Sequence, residues 1–275
     1  MSDATGRPFV STAEPLTGRV GDYLVQTWAV AAAEVQKLVH DPLELLTRAV
    51  QPVLWLMLFG EVMARVHGIA PGNLPYIDYL AAGILAQSAL FVAIFYGISA
   101  IWERDLGVLQ RYLSSPAPRS ALVLGKAVSA GVRALSQAII VYALAILLGV
   151  GLSFNPLDML GVAAVIFIGS ALFSTLSLII ACIVKTRERF MGIGQVMTMP
   201  IFFASNAIYP LSLMPDWLKA VSHVNPLTYE VDALRGLMLK NAVSDYGLAL
   251  DFAILVAATA ALTAIAARLY SRLGY

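Results

Sequence analysis

The chain has 275 residues, 59% of them hydrophobic and 13% charged, with a net charge of +1. A soluble domain carries about 25% charged residues, so this chain cannot cover a water-facing surface, and a disordered chain would be far more polar. One cysteine excludes a disulfide scaffold and the near-neutral charge gives no field for nucleic acid, which leaves an all-α polytopic membrane protein.

Residues 1–21 are polar, contain Pro8 and Pro15, and lack the apolar core of a cleavable signal peptide. They read as a flexible tail before a single transmembrane domain over 22–275. Over 22–42, Leu24, Val25, Trp28, Val35, Leu38 and Val39 recur at near-helical spacing. Asp22, Gln26, Glu34, Lys37 and Asp41 lie between them, as in a helix in the interface plane or one packed on the bundle.

A crossing needs about 20 mostly apolar residues. Charge-free runs cover 79–102, 134–157, 159–184 and 191–215, with a further run over 252–267. The weakest candidate, near 45–65, is interrupted by Arg48, Pro52 and Glu61 around an apolar centre at 53–59. Spans are therefore expected near 45–65, 79–102, 127–152, 159–184, 191–210 and 247–267. Basic residues collect on the cytoplasmic side. Six spans put thirteen Lys and Arg on one side and four on the other, with Arg133 inside a span. That partition predicts both termini in the cytoplasm of a multi-pass protein of the cell inner (plasma) membrane.

Between the second and third spans, Leu106, Leu109, Tyr112 and Leu113 share one face of a short polar stretch ended by Pro116 and Pro118. It is either a helix that a peripheral partner grips or a solvated loop. Arg133 either snorkels to the interface or faces a cavity. Pro200 bends the fifth span. Over 211–246, Leu227, Val231, Leu234 and Met238 form one stripe, with Glu230, Asp232 and Arg235 off it. Trp217, Leu218 and Val221 repeat the pattern on a smaller scale. This predicts an external helical hairpin lying against or dipping into the outer leaflet and capping a vestibule.

ATP chemistry is missing. Gly125-Lys126 has Ser120 where a Walker loop needs Gly, and Ala127 where it needs Ser or Thr. His40, His67 and His223 are scattered and no metal motif occurs, so no cofactor is expected in this chain. Eight carboxylates fall on the external side: Glu61, Asp78, Asp158, Asp216, Glu230, Asp232, Asp245 and Asp251. They keep a membrane-embedded enzyme acting on lipid-linked substrates as an alternative, though they form no recognisable catalytic pair; a channel or assembly subunit is a third.

The run Glu103-Arg104-Asp105-Leu106-Gly107-Val108-Leu109-Gln110-Arg111-Tyr112-Leu113-Ser114-Ser115-Pro116, followed by Leu124-Gly125-Lys126, resembles the loop after the second span in membrane subunits of ABC-type exporters. That permease family includes antibiotic-resistance and polysaccharide-export members. Asn225-Pro226-Leu227-Thr228-Tyr229-Glu230-Val231-Asp232-Ala233-Leu234-Arg235 resembles the stretch before the family's last span, with Glu230 where an apolar or aromatic residue is expected.

The resemblance implies a coupling helix at 103–113, with Glu103, Arg104, Asp105, Gly107, Leu109, Arg111 and Leu113 docking into a separate ABC ATP-binding subunit. Two such subunits, holding ATP and Mg, would join this chain and a second permease, identical or paralogous, in membrane lipid. The 22–42 helix would be the connector beside them. The second and fifth spans would line the path with Gln87, Phe91, Phe95, Met199, Phe202, Phe203, Asn206 and Tyr209. Helical spacing adds that Phe203 and Asn206 share a stripe from which Ile201 and Ile208 turn away. Asn225, Pro226, Tyr229 and Arg235 would carry the external motif. The expected function is export of a hydrophobic or amphipathic, drug-like or lipid-like substrate; polysaccharide or glycolipid export by the same family is the alternative.

Overall fold

The computed structural model describes residues 47, 50–65, 74–107, 119–184, 186–240 and 242–269. The N-terminal tail, the 22–42 helix and Leu109, Arg111 and Leu113 lie outside the described residues.

The chain is helical. In order come α1 (Val50–Met63), α2 (Tyr76–Tyr96), α3 (Ile98–Asp105), α4 (Arg119–Leu147), α5 (Pro156–Ile183), α6 (Arg187–Phe203), α7 (Asp216–Val224), α8 (Pro226–Met238) and α9 (Leu248–Leu269). Four stretches are long and apolar enough to cross a membrane: Tyr76–Asp105, Leu122–Leu147, Pro156–Ile183 and Leu248–Leu269. α1 and α6 are shorter. Among the described residues no strand forms; a lone antiparallel bridge joins Leu152 to Leu239.

One tripeptide starts two helices. In Asn155-Pro156-Leu157 and again in Asn225-Pro226-Leu227, the Asn side chain accepts from the Leu N–H, at 3.2 and 3.0 Å. Each proline fills the first turn, where its missing N–H costs nothing. α6 ends for a different reason. Pro200 cannot donate to the preceding turn, and the helix closes at Phe203, with Ala204 N bonded to Pro200 O at 2.9 Å. The span expected over 191–210 therefore stops seven residues short.

α5 is the hub, packing on α2, α4, α8 and α9. α2 is buried over nearly its whole length and is rich in small residues: Ala81, Ala82, Gly83, Ala86, Ala89 and Ala93. Small residues let helix backbones approach where lipid offers no hydrophobic drive. At Gly83 a Cβ would overlap the backbone carbonyl of Ala207. By contrast α1 packs mainly on α2, and α6 mainly on α2, α3 and the end of α5.

The two ends of the bundle differ. At one end Asp78 accepts from Gly151 N at 3.2 Å. There Ser153 N reaches Met238 O and Lys240 N reaches Gly151 O, both at 2.8 Å. At the other end Ile101, Val123, Leu178, Phe190 and Ala266 make a second small core, ringed by ion pairs.

Two expectations change. The stretch expected as a separate helix from 103 begins as the last turn of α3, which ends at Leu106 and Gly107; Gly107 has φ +70°, a left-handed turn suited to glycine. And α8 does not lie on a leaflet. Leu227, Val231 and Leu234 are buried as their stripe requires, yet Glu230, Asp232 and Arg235 are buried too. The helix is seated among α2, α5 and α9, so its polar face meets partners and not water. α7 alone keeps the expected surface character, with Trp217, Val221 and Val224 exposed.

Candidate functional site

After Phe203 the chain leaves the helix while still among the spans. Carbonyls at such depth need donors, and side chains supply them. Asn225 Nδ2 donates to Ile201 O at 2.6 Å and Tyr209 Oη to Phe203 O at 2.6 Å. Tyr79 Oη and Arg235 both donate to Asn206 O, at 2.8 and 2.9 Å, and Tyr76 Oη donates to Ile208 O at 3.0 Å. The Arg235 guanidinium also lies 3.8 Å over the Tyr79 ring. Arg235 and Asn225, expected as parts of an external motif, thus hold the end of α6 in place. Tyr229 donates to His223 O at 2.7 Å, tying α8 to α7.

This clamp shapes a groove of about 530 Å³ between α1, the start of α2 and the 203–218 segment. Trp55, Phe59, Tyr76, Phe203, Tyr209 and Leu218 are among its walls. The rings form a ladder: Trp55 meets Phe59 at 5.2 Å and Phe202 at 5.8 Å, and Phe202 meets Phe203 at 5.4 Å. The α1 side contains a π-helical stretch, Trp55–Gly60, which widens the turn that presents these rings. An apolar, aromatic groove with a few hydroxyls suits a large apolar or amphipathic ligand.

The eight expected path residues do not share one surface. Phe203 and Tyr209 line the groove. Phe202 is fully buried behind it, Gln87 is buried, and Met199 is half-buried. Phe91 and Phe95 stack at 5.9 Å and line a different cavity, between α1, α2 and α4. Asn206 is 1% exposed, and among the described residues neither of its amide atoms has a partner. Ile208, expected to turn away, lines the groove. The stripe that joined Phe203 to Asn206 assumed a helix that ends at Phe203. Trp55, Phe59, Tyr76 and Tyr79 escaped the sequence reading, although their i, i+4 and i, i+3 spacings were there to find.

Of the coupling residues, Glu103 accepts from Lys126 Nζ at 2.7 Å. Asp105 pairs with Arg104 at 3.0 Å and Arg187 at 2.8 Å, and Arg187 stacks 3.6 Å over Trp102. These pairs staple α3 to α4 and α6. Of the carboxylates expected on the external side, Asp232 and Asp251 flank Ser244, whose Oγ is 2.8 Å from each. Glu230 faces Gly169 of α5, where a Cβ would strike its carboxyl group. Among the described residues neither Glu230 oxygen has a hydrogen-bond partner, and burial holds this carboxyl well above the usual carboxylate range. Among the described residues no three His, Cys, Asp or Glu side chains converge to hold a metal ion.

A family model described as ABC-2 type transporter matches residues 25–239. The chain is 28% identical over 204 residues to a candidate transport permease, ycf38, of Cyanophora paradoxa, covering 73% of this chain and 70% of that one. It is 23% identical over 199 residues to the daunorubicin resistance ABC transporter permease protein DrrB1 of Streptomyces coeruleorubidus, covering 72% and 70%. To nodulation protein J of Sinorhizobium fredii it is 28% identical over 182 residues, 66% of each chain.

Proposed function

The chain belongs to the ABC-2 type transporter family, and from that premise we propose that it is the non-catalytic membrane subunit of an ATP-driven exporter. Its cargo is hydrophobic or amphipathic, and its energy comes from a separate ATP-binding subunit that docks at the 103–113 segment. The working unit contains two ATP-binding chains and a second permease in the cell membrane. Six crossings, including the short α1 and α6, place both termini in the cytoplasm.

The observation that carries the cargo class is the aromatic groove between α1 and the end of α6. Its rings offer area and shape to an apolar body, and the hydroxyls of Tyr76 and Tyr209 are already spent on backbone carbonyls. The name of the daunorubicin-resistance relative agrees with that class. The exposed apolar side chains of α1 and α6, such as Leu58 and Val196, are where the second permease chain would lie.

The test is co-purification of the ATP-binding subunit, followed by cargo-stimulated ATP hydrolysis in proteoliposomes. Leu109→Asp puts a charge into a desolvated contact and is expected to abolish both. Retention of both by a correctly inserted variant would show that coupling lies elsewhere.

A further inference from the structure

Asp105 is the last residue of α3 and lies inside the 103–113 docking segment. Both of its carboxylate oxygens are engaged within the chain. Oδ1 accepts from Arg104 Nε and Nη2 at 3.3 and 3.0 Å, and Oδ2 accepts from Arg187 Nε and Nη2 at 3.1 and 2.8 Å. Arg187 is the first residue of α6, and its guanidinium also stacks 3.6 Å over the ring of Trp102. Trp102 precedes Asp105 by three residues, so the two share one face of α3. Arg187 therefore grips that face at two points.

The first turn of α6 is also seated on α3. Phe190 is buried and shares a small core with Ala100, Ile101 and Leu178. The far end of α6 carries Phe203, a wall of the aromatic groove, and is pinned there by Asn225 and Tyr209. Arg187 and Phe203 are thus the two ends of one 17-residue helix, about 25 Å long. One end meets the docking segment and the other meets the groove.

We propose that Arg187 is a positioning residue that ties α6 to the docking segment, so that a shift of α3 imposed by the ATP-binding subunit moves α6 and the Phe203 wall of the groove. This role rests on the reading that residues 103–113 dock that subunit, and it adds the route from the dock to the cargo. Asp105, with both oxygens held inside the chain, grips α6. The strap is partly exposed, with 33% and 34% of the two side chains accessible, and exposed ion pairs contribute little to stability. It can bias the relative positions of α3 and α6 only by its own interaction free energy. Its loss therefore reads as weaker coupling and not as unfolding.

The test uses the chain in lipid nanodiscs with its ATP-binding subunit, in a Cys182→Ala, Phe203→Cys background. The rate at which a maleimide labels position 203 is measured with and without a non-hydrolysable ATP analogue. Nucleotide is expected to change that rate. Arg187→Gln should shrink the change about fivefold, the bias that a well-formed exposed pair can set. Co-purification of the ATP-binding subunit and the melting temperature should stay as before. Arg187→Lys should recover part of the response. Trp102→Leu, which removes the stack and keeps the ion pair, should reduce it in the same direction. Arg189→Gln, which removes an equal charge from an exposed position in the same turn, should leave it intact. A response that persists in both Arg187→Gln and Trp102→Leu would overturn the strap, as would an unaltered Arg187 chain whose position 203 ignores nucleotide. Leu109→Asp tells the two readings apart. If it abolishes the response and the Arg187 and Trp102 variants do not, the dock stands and the strap falls. If it leaves the response whole, the dock lies elsewhere and the strap falls with it.

Discussion

Glu230 shows how a single carboxyl can set a pH dependence. Its oxygens face Gly169 and have no hydrogen-bond partner among the described residues, so the neutral form is the one the fold accommodates. Because its pKa is raised on folding, the stability it contributes is fully present below the ordinary carboxylate range. That stability is lost as pH rises through the folded value. The hairpin should therefore loosen toward neutral and alkaline pH. Glu230→Gln is expected to raise the melting temperature at pH 8 but not at pH 4, flattening the profile by about 1.4 kcal/mol for each pH unit between the folded and unfolded values. A scanning-fluorimetry series over that pH range in detergent checks it; an unchanged profile would place the charge in solvent. Phe203 and Asn206 also separate at this scale. Phe203 is 42% exposed and Asn206 is buried, so Phe203→Ala should lower transport at an unchanged melting temperature. Asn206→Ala should shift the melting temperature, because it replaces a buried amide. Measuring both quantities for each variant tells a groove residue from a packing residue.

Among the elements, the contrast between α2 and α6 matters most. Gly83 of α2 abuts the backbone of Ala207, which cannot rotate away. Gly169 of α5 abuts a side-chain end, the Glu230 carboxyl. Overpacking costs about 1–3 kcal/mol; Gly83→Ala should sit at the upper end of that range and resist rescue. Gly169→Ala should cost less, and Glu230→Ala in the same chain should recover most of the loss. A double-mutant cycle on thermal stability measures that coupling, and additive effects would separate α5 from α8. The sequence was legible where one local signal decides the outcome. Long charge-free runs mark α2, α5 and α9, although the run over 134–157 passed through the Asn155-Pro156-Leu157 start of α5. It was not legible where a pattern has two physical causes. An apolar stripe opposite Glu230, Asp232 and Arg235 looks the same whether the polar face meets water or the Ser244 hydroxyl and the carbonyl of Asn206. Pro200 announces a disturbance in α6 without saying that the chain then turns back under Tyr76 and Tyr79.

At the scale of the molecule, the side chains Glu103, Lys126, Asp105 and Arg187 gather at one end, and Asp78, Asp158 and Asp232 lie toward the other. The thirteen-to-four partition of Lys and Arg carries the orientation prediction. In a Cys182→Ala background, cysteines at Ser115 and Ser271 should resist an impermeant thiol reagent on intact cells, while cysteines at Asn73 and Ser212 should react. Labelling at Ser115 would invert the topology. The burial of α8 also bears on how the chain is made. This helix has 13 residues, too few to cross a bilayer, and Glu230, Asp232 and Arg235 make it a poor solute for lipid. It leaves the ribosome before α9, yet α9 is one wall of its seat. During synthesis α8 therefore waits for its third wall until α9 is laid down, and Ser244 can then bridge Asp232 to Asp251. A nascent chain stalled at residue 247 should leave α8 open to protease and be cleared by quality control, whereas the same chain extended through residue 269 should protect it.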